Sequence, residues 1–218
     1  MATLSLSTDE VLSTTRAVRR RLDLTRPVER ELLQECIRIA QQAPSGSMLQ
    51  LAHFIVVTDP AKRAALADVW RKGYEAYKPS PISVYNVRFD EPQWEATRPR
   101  IIESLEHLVE HMHEVPVHVV PCVTFRTPAD ANVFLDATVW GCVLPAAWSF
   151  MLAARARGLA GCWTSIHLQF EEEAAAILGI PFAQVMQAGL IPVAYAKGTD
   201  FKPAYRLPSE RITHWDSW

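Results

Sequence analysis

Between residues 133 and 153 the chain carries a single charge, Asp136, and its apolar residues fall on every side of a helical wheel instead of along one stripe. A helix of this kind has to be surrounded, which few folds can arrange. About 20 apolar residues also match the thickness of a bilayer, so a membrane span is the first alternative. Asp136, Pro145 and Ser149 within the run, and ordinary amphipathic segments on both sides, point instead to the interior of a folded layer with no membrane partner. In a chain of 218 residues such a helix is hard to cover from within, so part of its surface is expected to meet a second copy. A core helix of a monomer is the plainer alternative.

The residues after the helix are equally informative. Arg155 and Arg157 suit a helix C-terminus, Gly158 supplies a left-handed stop, and residues 159–164 have the pattern of a short buried strand. The turn that follows, at Ser165 and Ile166, is expected to present backbone N–H groups at the edge of the core. Hydrophobic residues make up 49% of the chain and the formal charge is −2, which fits one soluble domain over residues 1–218 and gives no sign of a nucleic-acid partner. The first ten residues lack the basic and apolar regions of a signal peptide, so a cytoplasmic location is expected. Cys36, Cys122, Cys142 and Cys162 are widely spaced in apolar segments, the pattern of buried reduced thiols. Cys162, beside the turn, could alternatively be a reactive thiol.

Taken in order, Ser7 and Glu10 form a capping box that starts a first helix. Thr15-Arg16-Ala17-Val18-Arg19-Arg20-Arg21 follows. Alternation around Val18 can aim Arg16 and Arg19 at one target such as a phosphate; a solvated basic face is the alternative. Pro27 is expected to open a second helix, with Leu32, Leu33, Cys36, Ile37 and Ala40 on one face, and Pro44 to stop it. A strand over residues 53–58, a helix from Pro60 to about Tyr77 and a proline-rich excursion over residues 79–98 come next. A charged helix ends near His113. Its His107 and His111 have metal-ligand spacing, but no motif places a third ligand, so no metal is expected. Residues 117–123 suggest a strand with Pro121 at an irregular or edge position, residues 171–178 a short helix closed by Gly179, and residues 185–196 a last strand region. Residues 197–218 form an extended tail of the sort that lies across a neighbouring surface. Helices and strands alternate irregularly, which favours an α+β layer over a doubly wound sheet.

Four segments together resemble the FMN-dependent nitroreductases. They are the basic run Thr15-Arg16-Ala17-Val18-Arg19, the loop Ala43-Pro44-Ser45-Gly46-Ser47, the GLAGCWT turn of residues 158–164, and the tail segment FKPAYRLP of residues 201–208. The resemblance implies a mainly antiparallel sheet flanked by helices, in a domain-swapped homodimer whose long buried helix lies at the interface and whose tail packs on the partner. It implies two FMN sites, each built from both chains. By position, Arg16, Arg19 and Arg206 would meet the FMN phosphate, with Ala17 contributing through its backbone. Pro44, Ser45, Gly46 and Ser47 of the partner would lie along the ribityl chain and ring edge. Trp163, Thr164 and Ser165 would back the ring, with an N–H near Ser165 or Ile166 at its N5. The implied chemistry is ping-pong: NADPH or NADH delivers a hydride, then a nitroaromatic or quinone acceptor takes two electrons, with no catalytic side chain needed. The eight glycines contain no G-x-G-x-x-G, which suits a nicotinamide that visits a shared flavin face.

The sequence departs from the family at several positions. Met48, Gln50, Leu51 and Ala52 stand where Asn and a Gln-Pro-Trp run are common, Ala17 where Ser is usual, and Ala204 where many members have Lys. Reduction of an activated alkene, a deazaflavin-linked reaction, and flavin binding without turnover are the rival functions.

Overall fold

The structure, a computed structural model, describes residues 3–88 and 91–218. Within the 79–98 excursion, Phe89 and Asp90 lie outside the described residues, as do Met1 and Ala2 of the N-terminus.

Helix α1 (Thr8–Thr14) begins with the capping box: the Glu10 N–H donates to Ser7 Oγ and the Ser7 N–H to the Glu10 carboxylate. Helix α2 (Arg30–Ala40) starts three residues later than Pro27 and ends before Pro44, its buried face being Leu32, Leu33, Cys36 and Ala40. Pro27 therefore precedes the helix and does not open it. Strand β1 (Ala52–Val57) leads into α3 (Pro60–Tyr77), whose Asp59 cap accepts the Lys62 N–H. Helix α4 (Pro92–His111) claims residues 92–98 from the expected excursion, and Pro99 sits inside it. Strand β2 (Val117–Val123) follows, then α5 (Val133–Ala156), capped by Asn132 and closed through Gly158 at φ 77°. The remaining elements are β3 (Leu159–Gly161), α6 (Glu171–Leu178), β4 (Met186–Gln187) and β5 (Ile191–Tyr195).

The sheet runs β1-β2-β5-β3 with β4 also on β2, and every pairing is antiparallel. All seven residues of β2 are buried, so Pro121 lies in a central strand and not at an edge. A bulge explains how it is tolerated. Val119 pairs with Ile191 and Cys122 with Gln187, so two residues of β2 face three (Ala188, Gly189 and Leu190) on the other side. The Pro121 carbonyl accepts the Ala188 N–H at 2.8 Å, while Leu190 turns away to exchange bonds with Thr164. The missing proline N–H faces this interruption, where no regular ladder bond is forfeited.

Alternation along β2 splits the core. Val117 and Val119 pack with Leu32, Leu33, Phe150 and Ala154 of α2 and α5, whereas Val120 and Cys122 face Trp70, Tyr74, Leu105 and Leu108 of α3 and α4. The result is an α+β layer fold with helices on both faces of an antiparallel sheet. Helix α5 is long and apolar enough to cross a membrane, and half of it is buried here against α2 and the sheet. Its coverage is incomplete: Val133, Phe134, Leu144 and Trp148 are 85%, 77%, 37% and 38% exposed, so within one chain it is not buried all round.

Candidate functional site

Residues 15–18 run along the sheet, and a turn at residues 19–22, closed by the Leu22 N–H on Arg19 O at 3.1 Å, follows as the rest of an arm. The Val18 N–H donates to Gly161 O at 2.9 Å, Leu22 bridges Ala196, and the Asp23 N–H donates to Tyr195 O. Buried Val18 and Leu22 anchor the arm, which leaves Arg16 exposed and Arg19 half-buried. Their side chains line two different cavities, so alternation around Val18 does not send them to a common point in the single chain.

Arg19 lines a cleft of about 240 Å³ between α3, α4 and the turn after β3. Its walls are Trp70, Tyr77, Val84, Ile101, Leu105 and Leu108, and its floor is Trp163, Thr164, Ser165 and Ile166. Three of the expected ring-backing residues thus come together with Arg19. The floor is fixed from below. The buried Trp70 indole donates to Thr164 Oγ1 at 2.9 Å, and the Trp163 indole donates to Ala188 O at 3.2 Å. Gly189 makes room for that indole, since a Cβ there would lie 2.2 Å from its nitrogen. Arg19 Nε is itself buried and without a hydrogen-bond partner, with the Cys162 thiol beside the guanidinium, and the Ile166 N–H makes a long 3.5 Å bond to the Thr164 hydroxyl. An apolar slot with one guanidinium and one weakly bonded backbone donor fits a flat heteroaromatic ring that carries carbonyl or imine acceptors.

Arg16 lies at a smaller cavity, about 20 Å³, near the C-terminal end of α5 with Thr14, Arg155 and Phe201. Its Nη1 donates to Lys202 O at 3.2 Å. The tail lies on its own chain. Trp94 meets Tyr205 edge-on, and Arg211 pairs with Glu91 at 2.8 Å. Arg206 is exposed and its Nη1 donates to the adjacent Tyr205 carbonyl at 2.8 Å; it lines neither the Arg16 nor the Arg19 cavity. Ala17 is exposed beside Arg16.

Residues 44–47 lie elsewhere, against the first half of α5. Ser45 Oγ contacts Cys142 Sγ at 3.5 Å, and a Cβ on Gly46 would touch Thr138. From Cys142 to Ala154 is twelve residues, about 18 Å along a helix, so Pro44, Ser45, Gly46 and Ser47 stay apart from the Arg16 cavity of the same chain. Ser47, Met48 and Gln50 adopt positive φ, at 50°, 57° and 48°, a costly set for residues other than glycine.

Cys162 is fully buried and its burial raises the thiol pKa, which leaves it protonated and unreactive at neutral pH. The His107 and His111 rings are 4.4 Å apart, and His111 bonds Glu114 at 2.8 Å. Among the described residues no group of three or more His, Cys, Asp or Glu is placed to hold a metal. Two residues near the sites escaped the sequence reading. Trp70 is not singled out by sequence within α3, and Arg155 reads only as a cation suited to a helix C-terminus but is 4% exposed.

The model of the nitroreductase family matches residues 12–195, and the chain belongs to that family. Among solved structures it is similar to a BluB-like flavoprotein from Clostridium difficile 630, with TM-score 0.70 and 18% identity over 98% of this chain and 100% of that one. An oxidised iodotyrosine deiodinase bound to FMN and 3-iodo-L-tyrosine superposes with TM-score 0.69 and 19% identity, over 96% and 99% of the two chains. The FMN and NADPH-dependent nitroreductase NfnB from Sphigopyxis sp. strain HMH gives 0.67 and 21%, over 98% and 100%. These likenesses place the fold. No curated protein matches the chain in sequence.

Proposed function

We propose that this protein is an FMN-dependent oxidoreductase that takes reducing equivalents from NADPH or NADH and passes them to a nitroaromatic or quinone. The observation that carries the reading is the cleft of about 240 Å³, walled by apolar side chains, in which the Arg19 guanidinium meets the Trp163–Ile166 turn and the Ile166 N–H makes only a long 3.5 Å bond. Bound there, FMN would supply two-electron chemistry that no side chain of the cleft can provide. The protein's part is to hold and polarise the ring. The Ile166 N–H would offer a donor to a ring-edge acceptor, the Arg19 guanidinium would favour negative charge on the reduced ring, and Trp70, Leu105 and Leu108 would exclude water. The descriptions of two fold relatives with FMN, one of them NADPH-dependent, support the choice of cofactor.

The working unit on this reading is a homodimer. The exposed face of α5 presents Phe134, Ala137, Gly141, Leu144 and Trp148 at three- and four-residue spacing, a seam suited to a second helix. Residues 44–47 flank that seam, so a two-fold copy can bring its loop to a site the chain's own loop cannot reach.

Anaerobic titration of the purified protein tests the function. A yellow protein is expected, bleached by NADPH or NADH and restored by a nitroaromatic or quinone. Flavin colour that neither nicotinamide bleaches would refute turnover, and a protein that takes up no FMN would refute the cofactor assignment.

A further inference from the structure

Of the five residues in the turn Ile166–Phe170, His167 alone is fully buried, while Ile166 beside it lines the cleft. An imidazole therefore seats this part of the cleft floor, between α3 and α6, where an aliphatic side chain would serve for packing alone. The polar side chain that meets it is Gln187 of β4, which stands opposite Cys122 of β2, and His118 shares that face of β2 by alternation. Hydrogen bonds run short there. Gln187 Nε2 donates to Glu171 O at 2.9 Å and His118 Nε2 to Met112 O at 2.9 Å, yet Gln187 Oε1, His118 Nδ1 and both His167 nitrogens complete no bond. Charge compensation is missing as well. Arg63 of α3 and His167 itself both repel a proton on His118. Glu171 of α6 is engaged by Arg126 and by the Gln187 N–H, Lys72 of α3 pairs with Glu173 of α6 beside the Phe170 ring, and burial pushes the Cys122 thiol up to about 12. Among the described residues none of these groups offers a protonated His167 a counter-charge.

We propose that His167 is an acid-sensitive anchor of the cleft floor: a proton on its ring lifts residues 165–170 off α3 and β4, withdraws the Ile166 N–H from the cleft and loosens whatever the cleft holds. The inference concerns the floor and does not depend on which ligand binds. A buried cation without a partner is expensive, and hydrating it needs only the turn to move. The turn lies between fixed points, Thr164 paired with Leu190 on one side and Glu171 bonded to Gln187 on the other, and Gln169 Nε2 ties it to Gly73 O at 2.9 Å. Opening of so short a segment leaves the sheet folded. In the closed state burial lowers the His167 pKa from 6.5 to about 4. With an ordinary imidazole in the open state, opening is insensitive to pH above 6.5 and grows as pH falls toward 4, by roughly 20-fold between pH 7 and pH 5.

Amide hydrogen exchange of the full chain tests this, read by mass spectrometry at pH 7 and pH 5 on peptides covering residues 165–170, β2 and β5, with the intrinsic rates divided out. The expected result is that protection of residues 165–170 falls roughly 20-fold while β2 and β5 stay more protected than the turn. His167→Gln, which keeps a polar side chain that does not titrate, should abolish the fall. A turn and strands that exchange at one common rate at pH 5 overturn the proposal, since the histidine then acts only on global unfolding. An undiminished fall in His167→Gln overturns it too. Should that variant not fold, the wild-type ring is followed by NMR. A His167 imidazole still neutral at pH 5 in the folded protein upholds the anchor, and one that takes its proton near pH 6.5 with the turn closed overturns it.

Discussion

An alanine at position 73 would press directly on the cleft floor. Gly73 lies on α3 where the helix crosses the turn after β3, and a Cβ there would stand 2.3 Å from Ile166 O and 2.9 Å from its carbonyl carbon. Both are backbone atoms, so no rotamer relieves the clash. The helix and turn must part by roughly 1 Å to reach ordinary contact. The turn cannot yield freely, because Gln169 Nε2 donates to Gly73 O at 2.9 Å and Thr164 is paired on both sides with Leu190. Overpacking of this kind costs about 1–3 kcal/mol, and the gain in helix propensity from Gly to Ala returns about 1 kcal/mol. With rigid backbone on both sides the cost falls at the upper end, so a net loss of about 1–2 kcal/mol is expected. The same shift moves the Ile166 N–H, so flavin affinity should fall with stability. Urea unfolding of Gly73→Ala, with flavin titration, measures both. A variant as stable as the parent, with unchanged affinity, would refute the close-approach argument.

Three other outcomes follow from the same coordinates. Gly141 is mid-helix on the exposed face of α5, with nothing within 4 Å of an added Cβ. If that face stays in water, Gly141→Ala should stabilise by up to about 1 kcal/mol; we expect weaker self-association in analytical ultracentrifugation, because a second helix needs the space, and unchanged association would contradict the dimer seam. His118 and His167 are both 0% exposed, and burial lowers each pKa from 6.5 to about 4. The folded state holds them neutral, so their contribution is full above pH 6.5 and is lost as pH falls toward 4, at up to about 1.4 kcal/mol per pH unit each near pH 5. Unfolding free energy measured from pH 7 to 4.5 should drop accordingly, and His167→Gln should flatten the curve. Finally, Trp70→Phe removes the 2.9 Å bond to Thr164 Oγ1 and should cost about 1–2 kcal/mol. Strict additivity with Thr164→Val in a double-mutant cycle would show that the bond contributes nothing.

Much of this fold is written in short stretches of sequence. The Ser7–Glu10 box, the Asn132 cap and the left-handed Gly158 and Gly179 mark helix ends, because each acts on backbone groups within a turn of itself. The apolar pattern of residues 133–153, with Asp136 its single charge, similarly announces a core helix. Of the candidate site, sequence pointed to Trp163, Thr164, Ser165 and Arg19 separately, and the structure lines one cleft with all four. Sequence alone left Pro121 between an irregular and an edge position, since only the bulge at residues 188–190, between β4 and β5, makes a central proline acceptable. It also could not see that Arg16 and Arg19 open onto different cavities, or that Arg155 is buried. Those facts depend on which distant segments pack around each side chain. Local conformational preference sets where an element begins and ends, while burial, charge environment and the meeting of side chains across the sheet are set by tertiary packing.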